Sequence, residues 1–208
     1  MNGGSWAIVP IKDFASAKSR LTDILTGERR ALLACTMARD VLRALTRAPS
    51  VRGVIVMGQG AEHERLAQEL GCEFAIDEKG AGLNQNLQRV ATRLAAGGAD
   101  SLLVVPGDLP ALDVDDVERI LADCDSDATV YRARRDGGTN ALLVSPPNGV
   151  AFRFGLDSAA EHAEAARASG LTVRIVEDEA FAKDIDTPDD LQALLARSPD
   201  CATVDYLR

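Results

Sequence analysis

The residues of this chain best suited to chemistry are acids and bases set at the ends of apolar runs. Asp108 stands in Pro106-Gly107-Asp108-Leu109-Pro110, directly after the run Ser101 to Val105. The two prolines stiffen that turn, and Gly107 lets backbone come close to a ligand. A carboxylate so held can bind Mg²⁺, which takes one or two carboxylates and fills its other positions with phosphate oxygens and water. The alternative is a residue that only shapes the turn. Asp184-Ile185-Asp186-Thr187-Pro188 is a second acidic group. Alternation puts Asp184 and Asp186 on one side of an extended segment. Two carboxylates side by side repel unless a cation lies between them. Against that, Asp186 or Thr187 can cap a helix, and Asp189 and Asp190 suit its positive N-terminus. Lys12, Lys18 and Arg20 follow the apolar run Ser5 to Ile11, three cations in nine residues. Arg grips phosphate with two parallel hydrogen bonds, and Lys acts as a point charge. Alone they read as a solvated basic loop. With the acids at the same edge they compose a metal–triphosphate site.

The elements that must position these residues alternate strand and helix throughout. Expected strands are Ser5 to Ile11, Val51 to Met57, Cys72 to Ile76, Ser101 to Val105, Ala128 to Ala133, Ala141 to Ser145 and Thr172 to Val176. Lys12 to Thr22 reads as a loop, and Arg134 to Thr139 as a polar turn. Thr26 is placed to cap a helix reaching Arg47, with Leu32, Leu33, Met37, Val41, Leu42 and Leu45 on one side. Further helices are expected over Glu62 to Leu70, Leu83 to Ala96, from the Asp113 cap to about Asp123, over Asp157 to Ser169, and from Thr187-Pro188, the last. The tail after Pro199 is expected to be poorly ordered. This pattern predicts an α/β fold, with a mostly parallel sheet covered by helices on both faces. Ligands in such sheets bind beyond the carboxyl ends of the strands. The loops after the first, third and fourth strands are therefore the ones to inspect.

A chain of 208 residues suits one domain, 1–208, and buries roughly 70% of its unfolded surface. It needs no disulfide or zinc staple. The apolar share of 46% and charged share of 26% are those of a globular protein. The net charge of −9 argues against nucleic acid and anionic membranes as partners. Cys35, Cys72, Cys124 and Cys201 show no CxxC spacing and read as scattered reduced thiols of a cytoplasmic protein. No membrane-length apolar run and no signal peptide are read. There is no GxxxxGK[ST], and no GxGxxG in a strand-to-helix turn. P-loop enzymes and dinucleotide-dependent dehydrogenases are thereby disfavoured. His63 reads as a surface residue and His162 as a weak candidate for facing the cleft. Trp6 reads as core.

Ala7-Ile8-Val9-Pro10-Ile11-Lys12 followed by Ala17-Lys18-Ser19-Arg20-Leu21 resembles the opening of the 2-phospho-L-lactate guanylyltransferase family, which serves biosynthesis of the deazaflavin coenzyme F-420. In the family's order follow Gly82-Leu83-Asn84, Pro106 to Pro110, Gly138-Thr139-Asn140-Ala141-Leu142, Arg153-Phe154-Gly155-Leu156-Asp157-Ser158 and Asp184 to Pro188. The resemblance implies a three-layer nucleotidyltransferase fold of the glycosyltransferase-A-like, Rossmann-like kind. It implies Mg²⁺ held by Asp108, Asp184 and Asp186, with Lys12, Lys18 and Arg20 on phosphate. GTP would be the donor. The acceptor would be 2-phospho-L-lactate, phosphoenolpyruvate or 3-phospho-D-glycerate, contacted by Thr139, Gly155 and Ser158. Asn84 would face the nucleotide. Choice among the acids is left to neighbours such as Leu156 or Leu87. A downstream transferase would take the product, and a homodimer is left open. Between Asp77 and Gly82 the chain departs from many relatives, which bears on base and acceptor selection. The other readings are a nucleotidyltransferase for a molybdopterin or sugar phosphate, and a non-catalytic nucleotide-binding subunit.

Overall fold

The run of Trp6 to Pro10 carries only apolar side chains, and burial on both faces is what such a strand requires. In the computed structural model, which describes residues 4–122, 125–181 and 184–208, it is part of a central strand. The elements are β1 (Ser5–Pro10), α1 (Gly27–Arg47), β2 (Val51–Gly58), α2 (Gly60–Glu69), β3 (Glu73–Ile76), α3 (Leu83–Ala96), β4 (Ser101–Val104) and α4 (Val114–Leu121). They continue with β5 (Ala128–Arg132), β6 (Thr139–Val144), α5 (Ser158–Ala168), β7 (Val173–Val176), α6 (Pro188–Arg197) and α7 (Ala202–Leu207). Asp123, where α4 was expected to end, and Cys124 lie outside the described residues. Cys35, Cys72 and Cys201 are free thiols.

The seven strands form one sheet in the order β3-β2-β1-β4-β6-β5-β7. β6 runs antiparallel to both β4 and β5, and the other pairings are parallel. Side-chain alternation then divides the core. Ala7, Val9 and Leu103 pack on one face with Ala38 and Val41 of α1, Leu66 of α2 and Ile120 of α4. Ile8, Leu102 and Val104 pack on the other with Leu87 and Val90 of α3 and Ala159 and Ala166 of α5. Three layers result, as expected. The chain winds outward from β1 to β3, then crosses back to place β4 on the other side of β1. The strand order therefore reverses between β1 and β4, and a crevice opens at their carboxyl ends.

Four expectations are corrected. The tail is ordered: α7 lies on α1, and the buried Asp40 carboxylate accepts from Ala202 N–H at 3.1 Å, Thr203 N–H at 2.8 Å and the Thr203 hydroxyl at 2.6 Å. A buried carboxylate paired with three donors anchors a segment that composition alone reads as loose. Leu32 is 52% exposed, one position off the buried stripe of α1. His63 is buried, because Gly58 leaves its ring room against β2 and Phe14 packs on it at 4.7 Å. Trp6 is only half-buried; its ring lies over Gly53, where a Cβ would stand 2.5 Å from it.

Candidate active site

Pro10 ends β1, and the chain enters a sixteen-residue path to the Gly27 start of α1. Two apolar plugs hold that path down: Phe14 is 2% exposed and Leu21 fully buried. Phe14 and Leu21 sit in short 3₁₀ turns, Phe14–Ser16 and Ser19–Leu21. Lys18 falls between the turns with φ of 54°, a left-handed conformation uncommon for a side-chain-bearing residue. Such strain persists only where the surroundings over-determine it. Here it turns the Lys18 ammonium inward, 2.8 Å from Asp108 Oδ2 and 2.9 Å from Asp186 Oδ1.

Asp108 comes from the turn after β4. That turn packs closely against α1: a Cβ on Gly107 would lie 3.2 Å from the Cβ of Ala38. Asp184 and Asp186 come from the extended stretch before α6. Ile185 between them is buried, and its N–H donates to the Asp108 carbonyl at 3.2 Å. Asp190 fixes the other end. Its Oδ2 accepts from Asp186 N–H at 3.0 Å, Thr187 N–H at 2.7 Å and the Thr187 hydroxyl at 2.7 Å. Of the two caps left open by the sequence, Thr187 is the one used, and with Asp190 it forms a capping box on α6. Arg135 also grips Asp190, at 2.6 and 2.7 Å. Burial raises the Asp190 pKa, but Arg135 and Thr187 overcome it and hold the carboxyl at about 2.

Asp108, Asp184 and Asp186 each offer one oxygen to a common point, with those atoms all within 4.8 Å of one another. Asp108 Oδ1 is buried and has no hydrogen-bond partner. An orphaned buried carboxylate oxygen is expensive to leave unmatched. A hard divalent cation would satisfy it, and the all-oxygen donor set suits such an ion. Burial works against the charge on Lys18, yet Asp108 and Asp186 outweigh it and raise its pKa above the usual value. Burial, then Asp108 and Asp186, pushes the Asp184 carboxyl up. For Asp186 burial acts in the same direction, but Lys18 and Arg20 win and lower it.

These groups line a cleft of about 660 Å³ at the switch point. Lys12, Lys18, Arg20, Thr139, Asp108, Asp184 and Asp186 all border it, so one pocket gathers seven of the ten residues singled out in the sequence. Lys12 has no ion pair among the described residues, and the side chain of Arg20 is 63% exposed beside Asp186 at 3.3 Å. The other three are not in that lining. Asn84 of α3 uses its side-chain amide to clamp the Phe154 backbone: Oδ1 accepts from Phe154 N–H at 2.8 Å, and Nδ2 donates to the Phe154 carbonyl at 3.2 Å. Ser158 is 1% exposed and donates its hydroxyl to Thr139 at 3.1 Å. Gly155 adopts φ of 153°, and nothing lies within 4 Å of where its Cβ would stand, so it exposes bare backbone. Leu87 belongs to the core and Leu156 is 80% exposed. Thr139 is not part of the preceding turn but the first residue of β6.

The cleft also has walls formed by residues that were not among the ten candidates. Asp77 follows β3 directly, at the same carboxyl edge as Asp108, and its oxygens accept from Gln59 Nε2 at 3.2 Å and Asn86 Nδ2 at 2.5 Å. Its position after a strand was the available signal. Asp136 in the β5–β6 turn and the Phe154 ring complete the lining. Five carboxylates thus face three cations across the cleft. Without added positive charge it repels a triphosphate; a divalent ion at the three-carboxylate point would cancel that excess.

Comparison with known proteins agrees with the geometry. A family model described as "Guanylyl transferase CofC like" matches residues 5–208. Two proteins named phosphoenolpyruvate guanylyltransferase are similar to the chain. That of Conexibacter woesei is 37% identical over 193 residues, spanning 91% of this chain and 86% of its own. That of Roseiflexus sp. is 40% identical over 196 residues, spanning 93% and 85%. A 3-phospho-D-glycerate guanylyltransferase of Colwellia psychrerythraea is 31% identical over 201 residues, 92% of each chain. Among solved structures, a chain from Desulfovibrio desulfuricans G20 assigned to the nucleotide-diphospho-sugar transferases superposes with a TM-score of 0.82 at 21% identity, covering 100% of this chain and 95% of that one. A nucleotidyl transferase from Methanothermobacter superposes with a TM-score of 0.65 at 16% identity, covering 93% and 96%. The structural likenesses establish the nucleotidyltransferase fold.

Proposed function

Because the chain belongs to the CofC-like guanylyl transferase family, we propose that its cleft transfers GMP from GTP to the phosphate of phosphoenolpyruvate and releases pyrophosphate. One observation carries the reading: a buried ammonium and three convergent carboxylates meet at the switch point, with one carboxylate oxygen left unmatched. Asp108, Asp184 and Asp186 would hold Mg²⁺, which supplies charge neutralisation on the triphosphate. Lys12, which makes no ion pair among the described residues, meets the phosphates as a point charge. Lys18, beside the same carboxylates, would offer its ammonium to the same phosphates. Arg20 closes the rim.

The acceptor phosphate is ionised near neutral pH, so its oxygen attacks the α-phosphorus without a general base, and the bond to the pyrophosphate oxygen breaks in line with it. Rate then comes from positioning and electrostatics. Thr139 borders the cleft on the β6 side of β4, opposite Asp77 on the β3 side. This layout favours an acceptor at the Thr139 end and a nucleoside at the Asp77 end. Phosphoenolpyruvate is preferred on a narrow margin: two relatives named for it share 37% and 40% identity with this chain, against 31% and 36% for two named for 3-phospho-D-glycerate. The product would feed a second transferase in coenzyme F-420 biosynthesis. Pyrophosphate release is the test, with GTP or ATP, Mg²⁺, and each of phosphoenolpyruvate, 3-phospho-D-glycerate and 2-phospho-L-lactate. The reading requires dependence on all three components and preference for GTP. Equal rates with ATP remove the guanine assignment, and a faster rate with another acid removes phosphoenolpyruvate.

A further inference from the structure

Behind Thr139 lies a buried hydrogen-bonded chain whose proton directions can be worked out. His162 of α5 is fully buried. Its Nε2 lies 2.9 Å from the backbone nitrogen of Arg153, which can only donate. Nε2 is therefore the unprotonated nitrogen. The ring is neutral, since burial, and to a lesser degree Arg153, lower its pKa to about 4. The hydrogen must then sit on Nδ1, which faces Thr139 Oγ1 at 3.0 Å as well as the Ser158 carbonyl one turn back. Ser158 also donates its hydroxyl to Thr139 Oγ1. Thr139 thus accepts twice from behind, and neither partner takes its own hydroxyl hydrogen. Ala159 N–H donates to the Gly137 carbonyl at 3.2 Å, tying the start of α5 to the turn that leads into Thr139.

We propose that His162 is a positioning residue: locked as the Nδ1–H tautomer by the Arg153 backbone, it commits the Thr139 hydroxyl to donate into the cleft, toward an anionic oxygen of the phosphorylated acid. Ser158 acts in the same way, through Thr139. The idea rests on the proposed function and adds to it the machinery that orients the acceptor. A hydroxyl free to rotate could also accept. One saturated with donors from behind presents only its hydrogen, which suits a carboxylate or phosphate and disfavours a neutral hydroxyl donor.

Two substitutions separate this from a packing role. His162→Asn keeps an N–H near the Nδ1 position but loses the acceptor for Arg153. His162→Gln keeps an acceptor near Nε2 but loses the donor to Thr139. Each leaves one polar group unmatched, so a merely structural histidine would suffer alike from both. The expected result is an acid KM within about threefold of wild type for His162→Asn and raised about tenfold for His162→Gln, with the KM for GTP unchanged in both, as the loss of one oriented hydrogen bond implies. Adding His162→Gln to Thr139→Val should then change the acid KM little, because the two act on one hydrogen bond. Nitrogen-15 spectra of the wild-type imidazole should show hydrogen on Nδ1. Equal defects in both variants, additive effects with Thr139→Val, or hydrogen on Nε2 would overturn the assignment. Failure of the wild type itself to transfer GMP would instead overturn the function beneath it, a result distinguishable because the tautomer is read without turnover.

Discussion

Lys18 and Asp108 are 90 positions apart in sequence, yet an ammonium hydrogen of one is donated to a carboxylate oxygen of the other across 2.8 Å. The same ammonium reaches Asp186. It occupies, as a monovalent charge, the region where three carboxylates converge. Lys18→Met should therefore have two effects. Turnover should fall about a hundredfold, the usual scale for removing one electrostatic contact to a transition state. Stability without metal should also drop, and added Mg²⁺ should raise the melting temperature more in the variant than in the wild type. An equal Mg²⁺ response in both proteins would show that lysine and ion do not share the site.

Asp108→Asn and Asp186→Asn preserve shape while removing charge. Both should lose at least about a hundredfold in turnover, since a neutral amide is a poor ligand for a hard cation. Circular dichroism should stay that of the wild type. Activity within about threefold, roughly 0.6 kcal/mol in barrier, would remove these carboxylates from the ligand set.

Asp190 borders no part of the main cleft, but it caps α6 and holds the Asp186 backbone. Asp190→Ala should destabilise the fold by roughly 1–2 kcal/mol, the usual scale for a lost cap. It should also lower kcat, because Asp186 loses its anchor. Asp189→Ala, on an exposed neighbour, is the control and should do neither. Urea titration and steady-state rates check both parts. A stability loss with wild-type kcat would confine Asp190 to capping.

Burial, with a lesser effect of Arg153, lowers the His162 pKa from 6.5 to about 4, so protonation favours the unfolded chain. The stability this residue contributes is fully present above the unfolded value and is lost as pH falls from there toward the folded one. Over that window its share amounts to roughly 3 kcal/mol. Urea midpoints for wild type and His162→Gln, compared between pH 7.5 and pH 4.5, should show the steeper decline in the wild type. Parallel declines would mean that His162 does not titrate in unfolding.

The sequence by itself determined the alternation of elements, the sheet class and the edge at which most of the candidate residues gather. Apolar runs such as Ser101 to Val105 declare buried strands, and proline-bounded Asp108 declares its place at a strand's end, because those signals are local. A cap on the last helix from Asp186 or Thr187 was legible for the same reason, though the structure decided for Thr187 and its box with Asp190. Only the tertiary structure decided that Lys18 lies between Asp108 and Asp186, since a left-handed loop residue is not written in composition. Nor did local pattern show that Ser158 and Asn84 stand behind the wall, or that Asp77 and Asp136 stand in it. His63 and His162 look alike on their helices, each with polar neighbours; one is buried under Phe14 and the other behind Thr139. Which face of an element a polar group occupies follows from periodicity, but which partner awaits it there depends on how distant segments pack.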